Sequence, residues 1–218
     1  TPCGTLFPYT TLFRSVETPP PIVLYRFDAG TGDVIHDHAG GEPASDLAIA
    51  DLEAVEWLPD GGLKLKTPTK IAGRSAATRI INACRKTNEL SIEAWIQPAG
   101  ADRETKSVGM DRIVTLSSGN AERNFSLGQG DFGQHRRSFV VRLRTATREP
   151  RETIPGRDAA NGFPVLATPK LDFITERIHL CYARNALGKA TIWVNGAKVA
   201  SDTTYRGTFA NWDDSFGL

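Results

Sequence analysis

Methionine occurs once and cysteine three times in 218 residues, and no apolar run approaches the ~20 residues a membrane-spanning helix requires. Charge of one sign is also missing. Twenty-six Lys and Arg against 25 Asp and Glu leave a net charge of +1, which argues against nucleic acid or an anionic membrane as an obligatory partner. The sequence has no CxxC and no Cys/His cluster of the kind that holds structural zinc. Glycine-rich phosphate loops and nucleophile elbows are absent too. What is plentiful is glycine, proline and threonine, a mixture that favours many short strands joined by turns.

Two segments stand apart at the start. "TLFPYTTLFRS" (residues 5–15) keeps neither a helical nor a strand period, and Pro8 interrupts it. One choice of codons for these eleven residues resembles a widely used sequencing adapter, so residues 1–15 are expected to be an artefactual, disordered leader and are set aside. "VETPPPI" follows, and its prolines make residues 16–21 an extended linker. Residues 22–218 suit one sizeable domain.

Within that domain, "IVLYRF" (residues 22–27) reads as a first strand, "DAGTGD" as a turn and "VIHDH" as a further extended piece. "GGLKLK" alternates. "SAATRIINACRKTN" is the one helical segment, expected near residues 75–86, with Ser75 as N-cap and Ala77, Ile80, Ile81 and Cys84 on one face. Strand candidates then follow in series: "LSIEAWI", "RIVTLSS", "NFSLGQ", "SFVVRLRT", "ERIHLCYAR" and "ATIWVNGAKVAS". In the first of these, Leu90, Ile92, Ala94 and Ile96 alternate with Ser91, Glu93 and Trp95. In the last, Asn195-Gly196 between apolar alternations predicts a type I′ hairpin. "TREPRETIPGRDAANGFPV" reads as an extended surface loop. The fold class is therefore all-β, an antiparallel two-sheet β-sandwich with one short helix.

Four stretches, "LYRFDAGTGDVIHDHAG", "LSIEAWIQP", "RIVTLSSGNAERNFSLGQ" and "ERIHLCYARNALGKATIWVNGAKVAS", resemble the laminin-G-like, concanavalin A-like jelly roll. Trp193-Val194-Asn195-Gly196 occupies the place of that family's aromatic-Val-Asp/Asn-Gly turn. The resemblance implies that Trp95 packs between the sheets. It also implies further strands beyond "FANWDDSFGL", hence a domain incomplete at its C-terminal end with an uncovered edge and an exposed apolar strip. The expected function is a non-catalytic carbohydrate- or glycoprotein-binding adhesion module of a larger secreted bacterial protein, extracellular, periplasmic or at the cell surface.

Candidate sites follow from residue chemistry and from that resemblance. Arg142 and Arg144 form a basic stripe opposite Phe139, Val141 and Leu143, suited to acidic glycans on a concave sheet; a solvated outer face is the plainer reading. Trp212 and Trp57 are candidate sugar-stacking rings or core residues. Laminin-G-like domains often bind calcium, for which Asp28, Asp33, Asp213 and Asp214 are loop candidates; turn and cap roles are the alternative. His36 and His38 have the spacing of some zinc sites without a nameable third ligand. Retaining members of one glycoside hydrolase family of this fold place acid and nucleophile as Glu-x-Asp-x-Glu. Glu89 and Glu93 match the ends of that motif, while Ser91 replaces its central acid. Cys84 and Cys181 pair if the domain folds in an oxidising compartment; two separate buried thiols is the plainer reading. A structural spacer without ligand is a third functional possibility.

Overall fold

Alternating β-branched and aromatic residues become sheet wherever a partner strand of matching pattern exists, and the computed structural model shows this along most of the chain. It describes residues 19–75, 77–98, 110–119, 122–130, 135, 137–146, 162–171, 176–203 and 207–218. The leader, the start of the proline linker and most of the long loop (147–161) lie outside the described residues.

The first part of the domain is built from short pieces. β1 (Val34–Ile35) and β2 (Leu47–Ile49) pair antiparallel, and a 3-10 turn at Leu52–Ala54 leads to β3 (Val55–Trp57). β3 forms a two-stranded sheet with β4 (Leu63–Leu65), while β5 (Ile71–Gly73) completes a three-stranded sheet in the order β1-β2-β5. Residues 22–27, expected as a strand, contribute only the bridge between Tyr25 and Asp37. The Leu24 N–H goes to the side chain of Asp37 rather than to a ladder, and Phe27 at φ 55° turns the chain.

The helix α1 spans Thr78–Thr87. Its face of Ala77, Ile80, Ile81 and Cys84 is buried as the 3.6-residue period requires. Its start is two residues later than expected, because Ala77 rather than Ser75 occupies the N-cap. No side chain caps the first turn, and the N–H of Ala77 itself is satisfied by the carbonyl of Phe216, a tertiary contact. Asn88, left-handed at φ 58°, ends the helix with its N–H on the Cys84 carbonyl.

The remaining strands form two four-stranded antiparallel sheets. β6 (Leu90–Ile96), β11 (Ile178–Arg184), β12 (Ala190–Val194) and β13 (Ala197–Asp202) lie in the order β13-β12-β11-β6. β7 (Asp111–Ser117), β8 (Arg123–Gln129), β9 (Phe139–Leu143) and β10 (Leu166–Ala167) lie in the order β10-β9-β8-β7. Phe125, Leu127, Val141 and Leu143 from the second sheet and Leu180, Tyr182, Ile192 and Val194 from the first share one core, together with α1, Phe209, Trp212 and Phe216. Among the described residues the molecule is an all-β sandwich with one α-helix. Asn195 and Gly196 both have positive φ, 50° and 78°, as a type I′ turn between β12 and β13 demands.

Trp95 is a correction. It does not pack between the sheets: 61% of its surface is exposed. Period two places it on the side of Ser91 and Glu93, away from the core that Leu90 helps to fill.

Candidate functional site

The outer face of the β13-β12-β11-β6 sheet brings together chemically active side chains, exposed at Trp95 and Glu93 and half-buried at His179, Cys181 and Trp193. Antiparallel register places Trp95 of β6 beside His179 of β11. Glu93 lies beside Cys181, and Cys181 beside Trp193 of β12. Because the pairs share a face, Trp95, His179, Glu93, Cys181 and Trp193 all project to the same side.

Their contacts are specific. The His179 ring stacks on the Trp95 indole with centroids 4.7 Å apart and planes 28° apart. His179 Nε2 and Glu93 Oε1 form a hydrogen bond of 2.7 Å. The Arg177 guanidinium lies 5.4 Å from the Trp95 ring centroid, within cation–π range. His179 is itself held by the hairpin turn, since its N–H donates to Asn195 Oδ1 and its carbonyl accepts from the Asn195 N–H. The residue that makes the turn thus fixes the strand end carrying the histidine. Burial, and then the Glu93 charge, push the Cys181 thiol up, so it faces the carboxylate as a neutral group.

This arrangement offers an aromatic surface flanked by a carboxylate acceptor, an imidazole and a guanidinium. It can stack on a flat apolar ring face and take hydrogen bonds from hydroxyls at its margin.

The residues singled out in the sequence fall elsewhere, with one exception. Glu93 belongs to this face. Glu89 immediately precedes β6 and is exposed. The partner that Glu93 does have is His179. Arg142 is a correction: it is 2% exposed, with its guanidinium 4.4 Å from the Phe163 ring centroid. The segment around Gly162 and Phe163 covers that side of β9, so no solvated or concave arginine stripe forms there. Arg144 is half-buried, and its carbonyl accepts from Trp212 Nε1 at 2.8 Å. Trp212 is corrected from the ligand set to the core: it is 2% exposed and sits 4.3 Å from Phe209 and 6.1 Å from Phe125, centroid to centroid. Trp57 is half-buried, donating to the Gly32 carbonyl.

The calcium candidates separate by partner. Asp28 lies 3.7 Å from His38, and Asp214 pairs with Arg85. Asp213 accepts from the Ser215 hydroxyl and N–H, which hold its carboxyl below the usual range. The Asp33 carbonyl takes the Ile49 N–H. His36 bonds Asp46 while His38 faces Asp28, so the two histidines do not converge. Among the described residues no group of three or more His, Cys, Asp or Glu is placed to hold a metal ion. Cys84 is buried in the core and its thiol is pushed up to about 11 by burial; both it and Cys181 are free thiols.

Sequence reasoning missed His179, Arg177 and Trp193 as site residues. A signal for the face was present in the strict alternation of "LSIEAWI", which sets Trp95 beside Glu93. No protein-family model matches the chain, and neither a curated protein nor a solved structure matches it.

Proposed function

We propose that the domain is a non-catalytic carbohydrate- or glycoprotein-binding module, part of a larger secreted protein of laminin-G-like kind, and that it meets its ligand on the outer face of β6, β11 and β12. The observation that carries this reading is the exposed Trp95 indole, held by His179 and bordered by Glu93. An exposed indole surrounded by hydrogen-bonding groups suits a sugar, which has apolar C–H faces and polar edges. A hydrophobic protein partner would not use the carboxylate; a glycan uses both.

The test is retention on a glycan array that includes linear polysaccharides and short terminal sugars. The wild-type protein is expected to bind a subset, and Trp95→Ala to lose that binding at least about tenfold, or ~1.4 kcal/mol, with an unchanged melting curve. Equal retention of both proteins, or of neither, contradicts the assignment.

A further inference from the structure

We infer that Asn195 is a deamidation site gated by opening of the β12-β13 hairpin, and that its isoaspartyl product frees the strand end carrying His179. Asn195 is followed by Gly196, and both residues are exposed, so water and base reach the pair. A side chain on the following residue would shield the backbone nitrogen that has to attack. Glycine brings none, and even a Cβ at Gly196 would meet nothing within 4 Å.

The chemistry needs only water and a base. Base removes the Gly196 amide proton, and the nitrogen forms a bond to Cγ of Asn195. The C–N bond of the side-chain carboxamide breaks, and ammonia leaves with a proton taken from solvent. One water then opens the cyclic imide at either of its two carbonyls. Opening on one side gives aspartate. Opening on the other gives isoaspartate, in which the backbone runs through the former side chain and is one methylene longer.

The closed hairpin holds this reaction off in two ways. In a type I′ turn the first central residue has ψ of about +30°, which sets the next nitrogen nearly opposite Cβ across the Cα–C bond. The carboxamide is also tied away from Gly196, because its Oδ1 accepts the His179 N–H at 2.9 Å. Both restraints lapse when the hairpin end opens, and opening it disturbs little. Among the described residues β13 pairs with β12 alone, and a bulge interrupts the ladder where the partners pass from Ile192–Ala200 to Trp193–Lys198. Only the Trp193–Lys198 and Val194–Ala197 pairs lie between that bulge and the turn. Such an end opens by local rather than global unfolding. Once isoaspartate has formed, the turn is lengthened and the oxygen that held the His179 N–H has become a backbone carbonyl, so the two-residue loop no longer fits.

The experiment follows Asn195 by peptide mapping and isoaspartate-specific methylation, with the full chain kept in mildly alkaline buffer either folded or in urea. Conversion is expected in both, at least about tenfold slower in the folded chain, where the open fraction sets the rate. Val199→Ala trims a β13 residue that packs on the main core; it is expected to raise the folded rate severalfold and leave the urea rate unchanged. Hydrogen exchange of the Asn195 amide, which is bonded to the His179 carbonyl, is expected to rise in the same proportion. The isolated isoaspartyl form is expected to show changed His179 ring shifts in NMR spectra. Equal rates in the folded chain and in urea, no conversion at Asn195 in urea, or a Val199→Ala rate no higher than wild type overturns the gated site. Unchanged His179 shifts in the isoaspartyl form overturn the release of the strand end.

Discussion

At the scale of single residues, the most consequential polar group is Asp37, whose side chain is 1% exposed. Burial pushes its carboxyl up, but the N–H groups of Leu24 and Ala39 and the Arg79 guanidinium outweigh burial, and the net shift is downward. Arg79 reaches from α1 to this carboxylate and to the Gly40 carbonyl, so one side chain fastens the helix to the small β1-β2-β5 sheet. Removing it strands a buried charge. Arg79→Ala is expected to cost about 3–5 kcal/mol in urea unfolding, and the double variant Arg79→Ala/Asp37→Asn to recover part of the loss, because no unpaired carboxylate remains. An Arg79→Ala loss below about 1 kcal/mol counts against the pair's role. Little of this cluster was legible beforehand. "VIHDH" looked like a histidine pair, yet the residue that organises the region is the aspartate between them, through an arginine 42 positions away. The Glu93–His179 contact crosses 86 positions and depends on strand register, which alternation alone does not give. Trp95 was legible. Alternation sets it opposite Leu90, Ile92, Ala94 and Ile96, and the core takes that more uniformly apolar face.

At the scale of elements, local chemistry was read best where the backbone itself demands a residue type. Asn195-Gly196 was expected to form a type I′ turn and does. A Cβ on Gly196 meets nothing within 4 Å, so Gly196→Ala carries only the left-handed backbone cost, about 1–2 kcal/mol. Gly162 is different. Its φ is also positive, at 75°, but a Cβ there falls 2.8 Å from Arg142 Cβ and 2.8 Å from the Leu143 backbone nitrogen. Gly162→Ala is therefore expected to lower the melting temperature more than Gly196→Ala, and thermal unfolding of the two variants side by side checks the order. Equal shifts mean that the segment over β9 moves away freely. That segment is also why the arginine stripe was misread. Alternation correctly gave Arg142 the face opposite Val141 and Leu143, but the cover over that face comes from the end of the long loop. The start of α1 escaped sequence reasoning for the same reason, since the Phe216 carbonyl that satisfies Ala77 lies at the far end of the domain.

At the scale of the whole molecule, the class of fold was legible because it depends on counts of alternating segments, while the pairing of segments was not. The main sandwich and the small apolar cluster of Ile35, Leu47, Ile49 and Val55 are separate cores, and Leu218 packs against both. Cys84 lies in the larger core and Cys181 on the outside of its sheet, which keeps the thiols apart; a reducing agent is expected to leave the melting temperature unchanged, and a shift on reduction contradicts that placement. Acid acts on the molecule as a unit. Asp37, Asp46 and Asp213 all have carboxyls held below their ordinary value: Asp37 by the bonds that outweigh burial, Asp46 by the Asp37 N–H and then His36, Asp213 by Ser215. In each case the unfolded chain, with a carboxyl pKa near about 3.9, binds protons before the folded chain does. Their contribution is complete above that pH and is lost as pH falls through the lower folded values. The urea midpoint is expected to stay level from about pH 7 to 5, then to fall steeply below about 4. Asp37→Asn begins from a lower midpoint, because the amide cannot accept the same charge-assisted bonds, and its fall below pH 4 is shallower, because one of the three titrating groups is gone. A wild-type midpoint that holds level down to about pH 2.5, or an Asp37→Asn curve as steep as the wild type, shows that Asp37 does not draw its stability from an ionised carboxylate.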